Sequence, residues 1–343
     1  MAKMFSFHPA DFAEQFARQR FVHIRGGLTR EFRAMLTAQV ERYLRGPLMD
    51  DYAIGDKQQA QYQFPDDDNY LDQLFEGVGG VCGLEAGKMI LSERHIKTYD
   101  DNADPCPLAH KDRFASEITV GIPVHVPTTS TLILYPDDEL DLNPFASSTE
   151  MRTSLTPDRY PEAALDRARR VELRTEPGDI VMFLGHRIWH MRWHAAGTAS
   201  LFLKLNTFHC DPLGEDPRHD EMRSRSDAAL ALTDRELEDW TPMLGSRVDC
   251  VQRRYDRFWR ETVGVTCYRG NQITIDESEL AALRCMNGRN SVAALITNLG
   301  WRFSLQSLRR LAAAGVVDLL PREESPAVGR VSNVVEDPIA VRR

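Results

Sequence analysis

A series of short β-rich segments separated by turn residues constrains the fold of this chain more than any other feature. These segments occupy residues 88–99, 118–126, 131–135, 180–183 and 200–208. Turn signals of Asp, Asn, Pro and Gly separate them, and no crossover helices of the kind that join parallel strands are evident. The pattern therefore predicts an antiparallel barrel or jelly roll rather than a parallel sheet.

An HxD triplet and a later histidine-rich stretch are the candidate metal ligands. His110 and Asp112 are two residues apart, so in an extended segment both side chains point to the same face. A third ligand must come from a neighbouring strand, and the stretch that ends in Trp189 and His190 supplies one. Two imidazoles and one carboxylate on one face of an ion leave its other positions open, as in non-haem iron oxygenases. We interpret His110, Asp112 and His190 as the ligands and as the catalytic centre.

The choice of the distal histidine stays open on geometry alone. His186, His190 and His194 are spaced by four residues, so in a strand all three would share one face. Each of them, and the HxD pair as well, is also compatible with an ordinary surface or turn position.

The combination of HxD, the strand sequence Gly-Asp-Ile-Val-Met-Phe at 178–183 and the later Trp-His pair resembles the Fe(II)/2-oxoglutarate-dependent dioxygenases. Residues 8–46 also loosely resemble the N-terminus of the phytanoyl-CoA-dioxygenase-like members, and the resemblance covers about residues 12–208. It implies a double-stranded β-helix, with Fe(II), 2-oxoglutarate and O2 as cofactors and co-substrates. It favours His190 as the distal ligand, with His194 next. It also implies an oxidoreductase, a hydroxylase that releases succinate and CO2.

The sequence departs from the family pattern at the position that would bind the far carboxylate of 2-oxoglutarate. Relatives usually place an Arg about ten residues beyond the distal histidine, whereas residues 197–201 here contain none. A buried carboxylate still needs a cation, and Lys204, Arg192 and Lys97 are the candidates, in that order. Tyr135 is a candidate for an additional hydroxyl contact, or equally for an ordinary core aromatic.

The missing Arg keeps two other classes of function open. A metal-binding cupin enzyme that does not use 2-oxoglutarate would also carry His and Asp ligands on a jelly roll. A non-catalytic, metal-binding regulator would do the same. Residues 136–170 form a long polar excursion with a helix expected over 161–170, and we interpret this excursion as a candidate lid.

Helices are expected on both sides of the β-rich region, which makes the chain α+β. We expect an oxygenase domain over 1–262, with N-terminal helices, and a small helical module over 263–321. Three short helices capped by Asp276, Ser291 and Ser304, followed by a strand near 316–320, indicate a winged-helix-like or PqqD-like unit. Its expected role is packing or homodimerisation, with docking of a carrier-bound or protein substrate as the rival. Residues 322–343 are expected to form a polar tail.

Composition narrows the partners and the compartment. The net charge is -9 and the isoelectric point about 5.6, which argues against general nucleic-acid binding. Six cysteines without a CxxC pair indicate free thiols in a reducing compartment. The sequence contains neither a signal-peptide pattern nor an apolar run that could span a membrane. We expect a cytoplasmic protein that acts on a small-molecule or carrier-bound substrate, without nucleic-acid or membrane partners.

Overall fold

The computed structural model describes residues 3–45, 52–54, 57–65, 69–137, 144–145, 151–152, 154–246, 248–267 and 271–321. The expected polar tail at 322–343 lies outside these residues, as does much of the candidate lid. Helices and strands both occur, and every strand pair in the described part of the chain is antiparallel. The expected mixed architecture with antiparallel sheets is confirmed.

The α-helices whose bounds fall within the described residues lie mainly toward both ends of the chain, and α4 (Pro161–Leu165) lies in the excursion between strands. They are α1 (Ala10–Gln19), α2 (Arg30–Arg45), α3 (Tyr70–Cys82), α4 (Pro161–Leu165), α5 (His219–Ala229), α6 (Asp234–Leu237), α7 (Glu277–Arg284), α8 (Val292–Leu299) and α9 (Leu305–Ala313).

The strands are short and follow one another with few helices between them. They are β1 (Phe21–Ile24), β2 (Tyr52–Ile54), β3 (Lys57–Gln61), β4 (Ile90–Tyr99), β5 (Ile118–His125), β6 (Thr131–Tyr135), β7 (Val171–Leu173), β8 (Ile180–Phe183), β9 (Trp189–Trp193), β10 (Ala199–Asn206), β11 (Thr241–Leu244), β12 (Val248–Tyr255), β13 (Glu261–Cys267), β14 (Gln272–Ile275) and β15 (Val317–Leu320).

Two of the sheets form the jelly roll that the sequence predicts. The larger has the order β1-β8-β5-β10-β4-β3-β2, and the smaller has the order β7-β6-β9. An isolated antiparallel bridge between His110 and His190 extends the smaller sheet beyond β9. From β4 to β10 the chain therefore passes repeatedly between the two sheets, with consecutive β6 and β7 sharing the smaller one. This alternation is jelly-roll connectivity.

The N-terminal helices join the core of the larger sheet. In α2, Phe32, Leu36 and Val40 are buried and form the apolar stripe that their four-residue spacing predicts. Leu44, which continues the same spacing, is 50% exposed, so the stripe ends one turn before the helix does. Phe32, Leu36 and Val40 are buried in one cluster with residues of strands β5, β8 and β10. The helix therefore covers one face of the larger sheet and keeps that face from solvent.

A second hydrophobic core occupies the C-terminal part of the chain. It collects buried residues of β11, β13 and β15 and of helices α7 to α9. The helix caps follow the sequence prediction, since Asp276 and Glu279 form a reciprocal capping box and Ser291 and Ser304 accept hydrogen bonds from backbone N–H groups. The strand expected near 316–320 is β15.

This second core begins earlier in the chain than the expected boundary at 262 and 263. That boundary lies inside β13, which pairs with β12 along its whole length. Strand β11 pairs with β15, and Phe208 and Cys210 are buried in the same cluster as the helices. Hydrophobic spacing locates helices well, but it does not report which earlier strands complete their core. The winged-helix-like and PqqD-like descriptions stay predictions.

No helix in the described ranges combines the length and the apolar character that crossing a membrane requires.

A buried charge cluster ties β4 to the segment that follows β10. His95 Nε2 lies 2.6 Å from Glu215 Oε1, and His95 Nδ1 lies 3.4 Å from Glu93 Oε1. Burial by itself lowers the pKa of His95, but the hydrogen bonds to Glu215 and Glu93 outweigh it and raise the pKa above its usual value. The protonated imidazole therefore stabilises the folded state.

We expect this histidine to make stability depend on pH. Its folded pKa is raised, so its contribution is complete below the unfolded pKa of about 6.5. The contribution is lost as pH rises through the higher folded pKa. At pH 6, His95→Gln should lower the free energy of unfolding by about 2 kcal/mol, and this deficit should shrink toward alkaline pH. Urea denaturation across pH measures it, with exposed His8→Gln as the control. A deficit that does not change with pH would contradict this assignment.

Candidate metal centre

Backbone pairing brings the HxD segment against strand β9. The N–H of His110 donates to the carbonyl of His190 at 2.9 Å, and the N–H of His190 donates back to the carbonyl of His110 at 2.9 Å. The N–H of Asp112 donates to the carbonyl of Gly185 at 2.9 Å. Residues directly opposite in an antiparallel pair project to the same side, so both histidines face one point. Their ring centroids are 4.4 Å apart.

His110, Asp112 and His190 form a compact group of potential metal ligands. One donor atom from each lies within 4.8 Å of the others, and no other group of three such residues occurs in the part of the chain that the structure describes. His190 Nε2 is 3.8 Å from Asp112 Oδ2. The other ring nitrogen, Nδ1, lies 2.9 Å from the carbonyl of Ile188, which directs Nε2 toward the cluster. A divalent transition metal fits this donor set.

The carboxylate of Asp112 is held from both sides. Thr119 Oγ1 donates to Oδ2 at 2.7 Å, and Lys204 Nζ donates to Oδ1 at 2.8 Å. Burial alone would raise the pKa of Asp112, but Lys204 and the two histidines hold that pKa far below its usual value. Asp112 is therefore an ionised, oriented carboxylate, which is the state that a metal ligand requires.

Gly185 leaves the space in which Asp112 and Thr119 meet. A Cβ atom at position 185 would overlap Thr119 Oγ1 and would lie 2.8 Å from Asp112 Oδ2. The same atom would lie 3.0 Å from the backbone carbonyl of Ser116. The turn between β8 and β9 thus needs a residue without a side chain where it passes the carboxylate.

The other two histidines of the stretch lie outside this cluster. His186 is buried, and its Nδ1 lies 3.0 Å from the carbonyl of Ser116. His194 is exposed at the end of β9 with a φ of 50°. The four-residue spacing suggested a common face only for a continuous strand. In the structure β9 begins at Trp189 and His194 follows its last residue, so the spacing does not apply.

A cavity of about 60 Å³ adjoins the cluster. It contains cations from three strands and apolar side chains that keep water away. The lining residues are Lys97, Tyr99, His110, Asp112, Thr119, Leu132, Phe183, His190, Met191, Arg192, Phe202 and Lys204. A second space of about 120 Å³ shares Tyr99, His110, Met191 and Arg192 with the first.

Lys204 and Lys97 are neutralised by carboxylates of the protein. Lys204 Nζ contacts Asp112 Oδ1 at 2.8 Å and Glu93 Oε2 at 3.4 Å, and Lys97 Nζ contacts Glu93 Oε1 at 2.7 Å. Burial lowers the pKa of Lys97 to about 8, against the opposing effect of Glu93. Lys204, the first candidate for the 2-oxoglutarate anchor, is thus engaged by the ligand carboxylate itself.

Arg192 differs from both lysines. Its Nη1 lies 3.3 Å from Ser130 Oγ, and the described residues provide no carboxylate partner for its guanidinium. Burial lowers the pKa of Arg192. Arg192 also lines both cavities. Of the three cations in the first cavity, it is therefore the one whose charge is available to a ligand.

The expected role of Tyr135 does not fit its position. In β6, Leu134 pairs with His190 and Leu132 pairs with Arg192, so these two leucines share the face of the metal cluster. Tyr135 points to the opposite face, where it packs in a cluster with Trp189. Sequence analysis missed several residues of the site, among them Thr119 and Tyr99, which both line the cavity. For Tyr99, its two-residue spacing from Lys97 on β4 was the available signal.

Part of the candidate lid contacts the metal-binding segment. Arg152 donates to the carbonyl of Ala109, the residue before His110. Its guanidinium also pairs with Glu162 of α4, at 2.8 Å and 2.6 Å. The excursion is therefore attached directly beside the cluster.

No protein-family model matches the sequence, and no curated protein matches it. Among solved structures, the chain resembles the non-haem α-ketoglutarate-dependent carbocyclase SnoK at 14% identity and a TM-score of 0.42, over 60% of this chain and 87% of SnoK. It resembles EctD from S. alaskensis, solved with 2-oxoglutarate and 5-hydroxyectoine, at 14% identity and 0.42, over 61% and 80%. It also resembles EvdO2 from Micromonospora carbonacea var. aurantiaca, solved with 2-oxoglutarate, at 12% and 0.42, over 60% and 92%.

These structures come from the class of enzymes that the sequence motifs resemble. At such low identity and with TM-scores below 0.5 the likeness carries no argument for this chain, and the function has to come from the residues of the site. Fold and site together define a jelly-roll protein with a buried cluster of two histidines and one aspartate.

We expect Gly185→Ala to weaken metal binding because the added methyl group displaces Thr119 and Asp112. Binding of Co(II), measured by its visible absorption, should weaken at least about tenfold, since disturbing the groups that orient a metal ligand commonly costs that much. Gly87→Ala, where a Cβ meets nothing within 4 Å, is the matched control. Unchanged Co(II) affinity of Gly185→Ala would show that the carboxylate is not positioned through this contact.

Proposed function

We propose that this protein is an Fe(II)- and 2-oxoglutarate-dependent oxygenase that hydroxylates a small or carrier-bound substrate. The observation that carries the proposal is the convergence of His110, Asp112 and His190 beside a cavity that holds an unneutralised guanidinium. A plain metal site needs the three ligands only. A site for a dicarboxylate co-substrate needs a cation at some distance as well.

The three ligands would bind iron through two imidazole nitrogens and one carboxylate oxygen. This set leaves positions for a chelating co-substrate and O2, and it suits Fe(II) better than a closed structural site does. With Fe(II) and 2-oxoglutarate bound, O2 would be the oxidant: one of its oxygen atoms would enter a C–H bond of the substrate as a hydroxyl group, and the other would enter the succinate that forms, with CO2, from 2-oxoglutarate. Every other contribution comes from side chains of this chain.

Arg192 is the residue that we assign to the far carboxylate of 2-oxoglutarate. A guanidinium presents a planar fork that matches a carboxylate, and desolvation strengthens the pair. Lys204 and Lys97 are less suited, because Asp112 and Glu93 already balance their charges. This ordering puts Arg192 ahead of Lys204, which was the first candidate from the sequence.

Lys204 has a different task in this proposal. Its ammonium lies 2.8 Å from Asp112 Oδ1, while Thr119 binds Oδ2, the oxygen nearer to His190. Lys204 thereby fixes the plane of the carboxylate and offsets its charge. We infer that it positions the ligand rather than the co-substrate.

The second, 120 Å³ space is the proposed entrance for the substrate. It reaches His110 and Arg192 and is otherwise lined mainly by apolar side chains. These are Ala103, Pro107, Leu108, Met191 and Ala195. Leu108 is 54% exposed and lies at its rim, so an apolar portion of the substrate would enter beside it.

Anaerobic addition of Fe(II) and then 2-oxoglutarate tests the proposed function. The complex should develop a visible charge-transfer band, and Asp112→Ala and His190→Ala should abolish it because the chelate loses a ligand. His194→Ala is the matched control and should retain the band, since that histidine is exposed outside the cluster. Metal binding without any band would instead favour a cupin that does not use 2-oxoglutarate.

We expect Arg192→Met to raise the Kd for 2-oxoglutarate at least tenfold, because the far carboxylate loses its charged partner. Fe(II) binding should change little in this variant. Lys204→Met should have the opposite profile, with weaker Fe(II) binding. Anaerobic titrations that follow the charge-transfer band measure both constants. If Lys204→Met alone impaired 2-oxoglutarate binding, the anchor would be Lys204.

A further inference from the structure

The tip of the β12–β13 hairpin carries an unusual exposed surface. We call residues 253–260, with the sequence Arg-Arg-Tyr-Asp-Arg-Phe-Trp-Arg, the basic–aromatic tip. All of these residues are exposed. Tyr255 is 61% exposed, Phe258 62% and Trp259 86%. Large aromatic side chains gain most from burial, so three of them in solvent within five residues call for an explanation.

The tip is structured. Asp256 Oδ1 accepts hydrogen bonds from the N–H groups of Phe258 and Arg260, at 2.7 Å and 3.0 Å. Asp256 Oδ2 accepts one from Arg260 Nε at 2.8 Å. Trp259 has a φ of 62°, a left-handed conformation that costs free energy for a bulky residue. The fold thus holds Trp259 in a costly conformation while its ring faces solvent.

The tip also carries a local excess of positive charge. Arg253 pairs with Glu261 at 2.7 Å, and Arg260 pairs with Asp256. Within the described residues, Arg254 and Arg257 have no carboxylate partner. The guanidinium of Arg257 lies 4.7 Å from the centre of the Phe258 ring. Two uncompensated arginines stand out in a chain with a net charge of -9.

A polar sheet face leads away from the tip. Directly paired residues share a face, so Arg254 lies beside Thr262, and Gly264 lies between Gln252 and Thr274. The opposite face of β13 is buried at Val263, Val265 and Cys267. The outer face therefore offers hydrogen-bonding side chains and, at Gly264, no side chain that would obstruct a flat ligand.

We propose that the basic–aromatic tip and the adjoining sheet face bind single-stranded nucleic acid. Unpaired bases would stack on Trp259, and phosphates would pair with Arg254 and Arg257. The polar sheet face would contact base edges or sugars. Composition argued against nucleic-acid binding because it averages charge over the whole chain, whereas this surface is local.

A membrane surface fits less well. Asp256 lies inside the tip and Glu261 at its base, and both would have to leave water together with the aromatic rings. A nucleic-acid strand leaves both carboxylates in their arginine pairs at the edge of the contact. Double-stranded nucleic acid is also excluded by the proposal, since stacked and paired bases offer no free faces to Trp259.

Fluorescence anisotropy with labelled oligouridylate and oligothymidylate of about 12 nucleotides tests the proposal. The full-length protein should bind at least one of them, with a Kd of about 1–100 µM at physiological salt. The two oligonucleotides distinguish RNA from DNA. A labelled duplex of the same length and vesicles containing phosphatidylserine should bind at least tenfold more weakly.

Variants of the tip locate the contact. Trp259→Ala should weaken binding about tenfold through lost stacking. The double variant Arg254→Glu/Arg257→Glu should reduce the slope of log K against log salt by about 1.4. Trp301→Ala, at a position that is 85% exposed elsewhere in the C-terminal core region, is the matched control and should bind normally. Circular dichroism should show that all variants fold.

Four results would overturn the proposal. They are the absence of oligonucleotide binding, equal binding of the duplex, binding to vesicles alone, and equal loss of affinity in Trp301→Ala and Trp259→Ala. Vesicle binding alone would assign the tip to an anionic membrane instead.

Discussion

The charge balance around Asp112 governs the rest of the site. A buried carboxylate without a partner is very costly, and here Lys204, Thr119 and two imidazoles surround it. Lys204 in turn contacts Glu93, which also pairs with Lys97, so two carboxylates and two ammonium groups alternate from Asp112 to strand β4 of the larger sheet. Removing one partner of such a network leaves an uncompensated charge, which makes the network a structural requirement as well as a chemical one. A bound divalent cation would add charge beside Asp112, and the carboxylate rather than the lysine is the group oriented to meet it.

One backbone pairing and one turn bring the charged groups around Asp112 together. The reciprocal hydrogen bonds between His110 and His190 place the ligand pair in the smaller sheet, although the HxD segment is too short to be a strand of its own. The turn at Gly185 then lets Thr119, from the larger sheet, reach Asp112 across the jelly roll. The cluster therefore sits where the two sheets converge. Its ligands come from the smaller sheet, and Lys204 and Thr119, which hold Asp112, come from the larger.

The sequence predicted the fold class and the pairing of His110 with Asp112, because both depend on local periodicity. The third clustered residue, His190, was favoured by the family resemblance, since the spacing of the histidines left the choice open. Alternation in short strands indicated a jelly roll, and the two-residue spacing of His110 and Asp112 predicted a shared face. What the sequence could not supply was cross-strand register. Register decides that Leu134, and not Tyr135, faces His190. Register also decides that Lys204 forms an ion pair with Asp112. Arg192 is then the cavity cation without a carboxylate partner among the described residues.

The C-terminal core is joined to the metal-binding segment rather than appended to it. Phe114, two residues after Asp112, is buried in the same cluster as helices α7 to α9, and its ring centre lies 4.5 Å from that of Phe208. Asn206 at the end of β10 donates to the carbonyls of Ala115 and Cys210, at 2.9 Å in each case. The strand that carries Lys204 and the segment that carries Asp112 are thus both anchored in this second core. An insertion or deletion confined to the C-terminal region would shift the Asp112 carboxylate through these contacts. The C-terminal region therefore supports the metal-binding site, whatever else it binds.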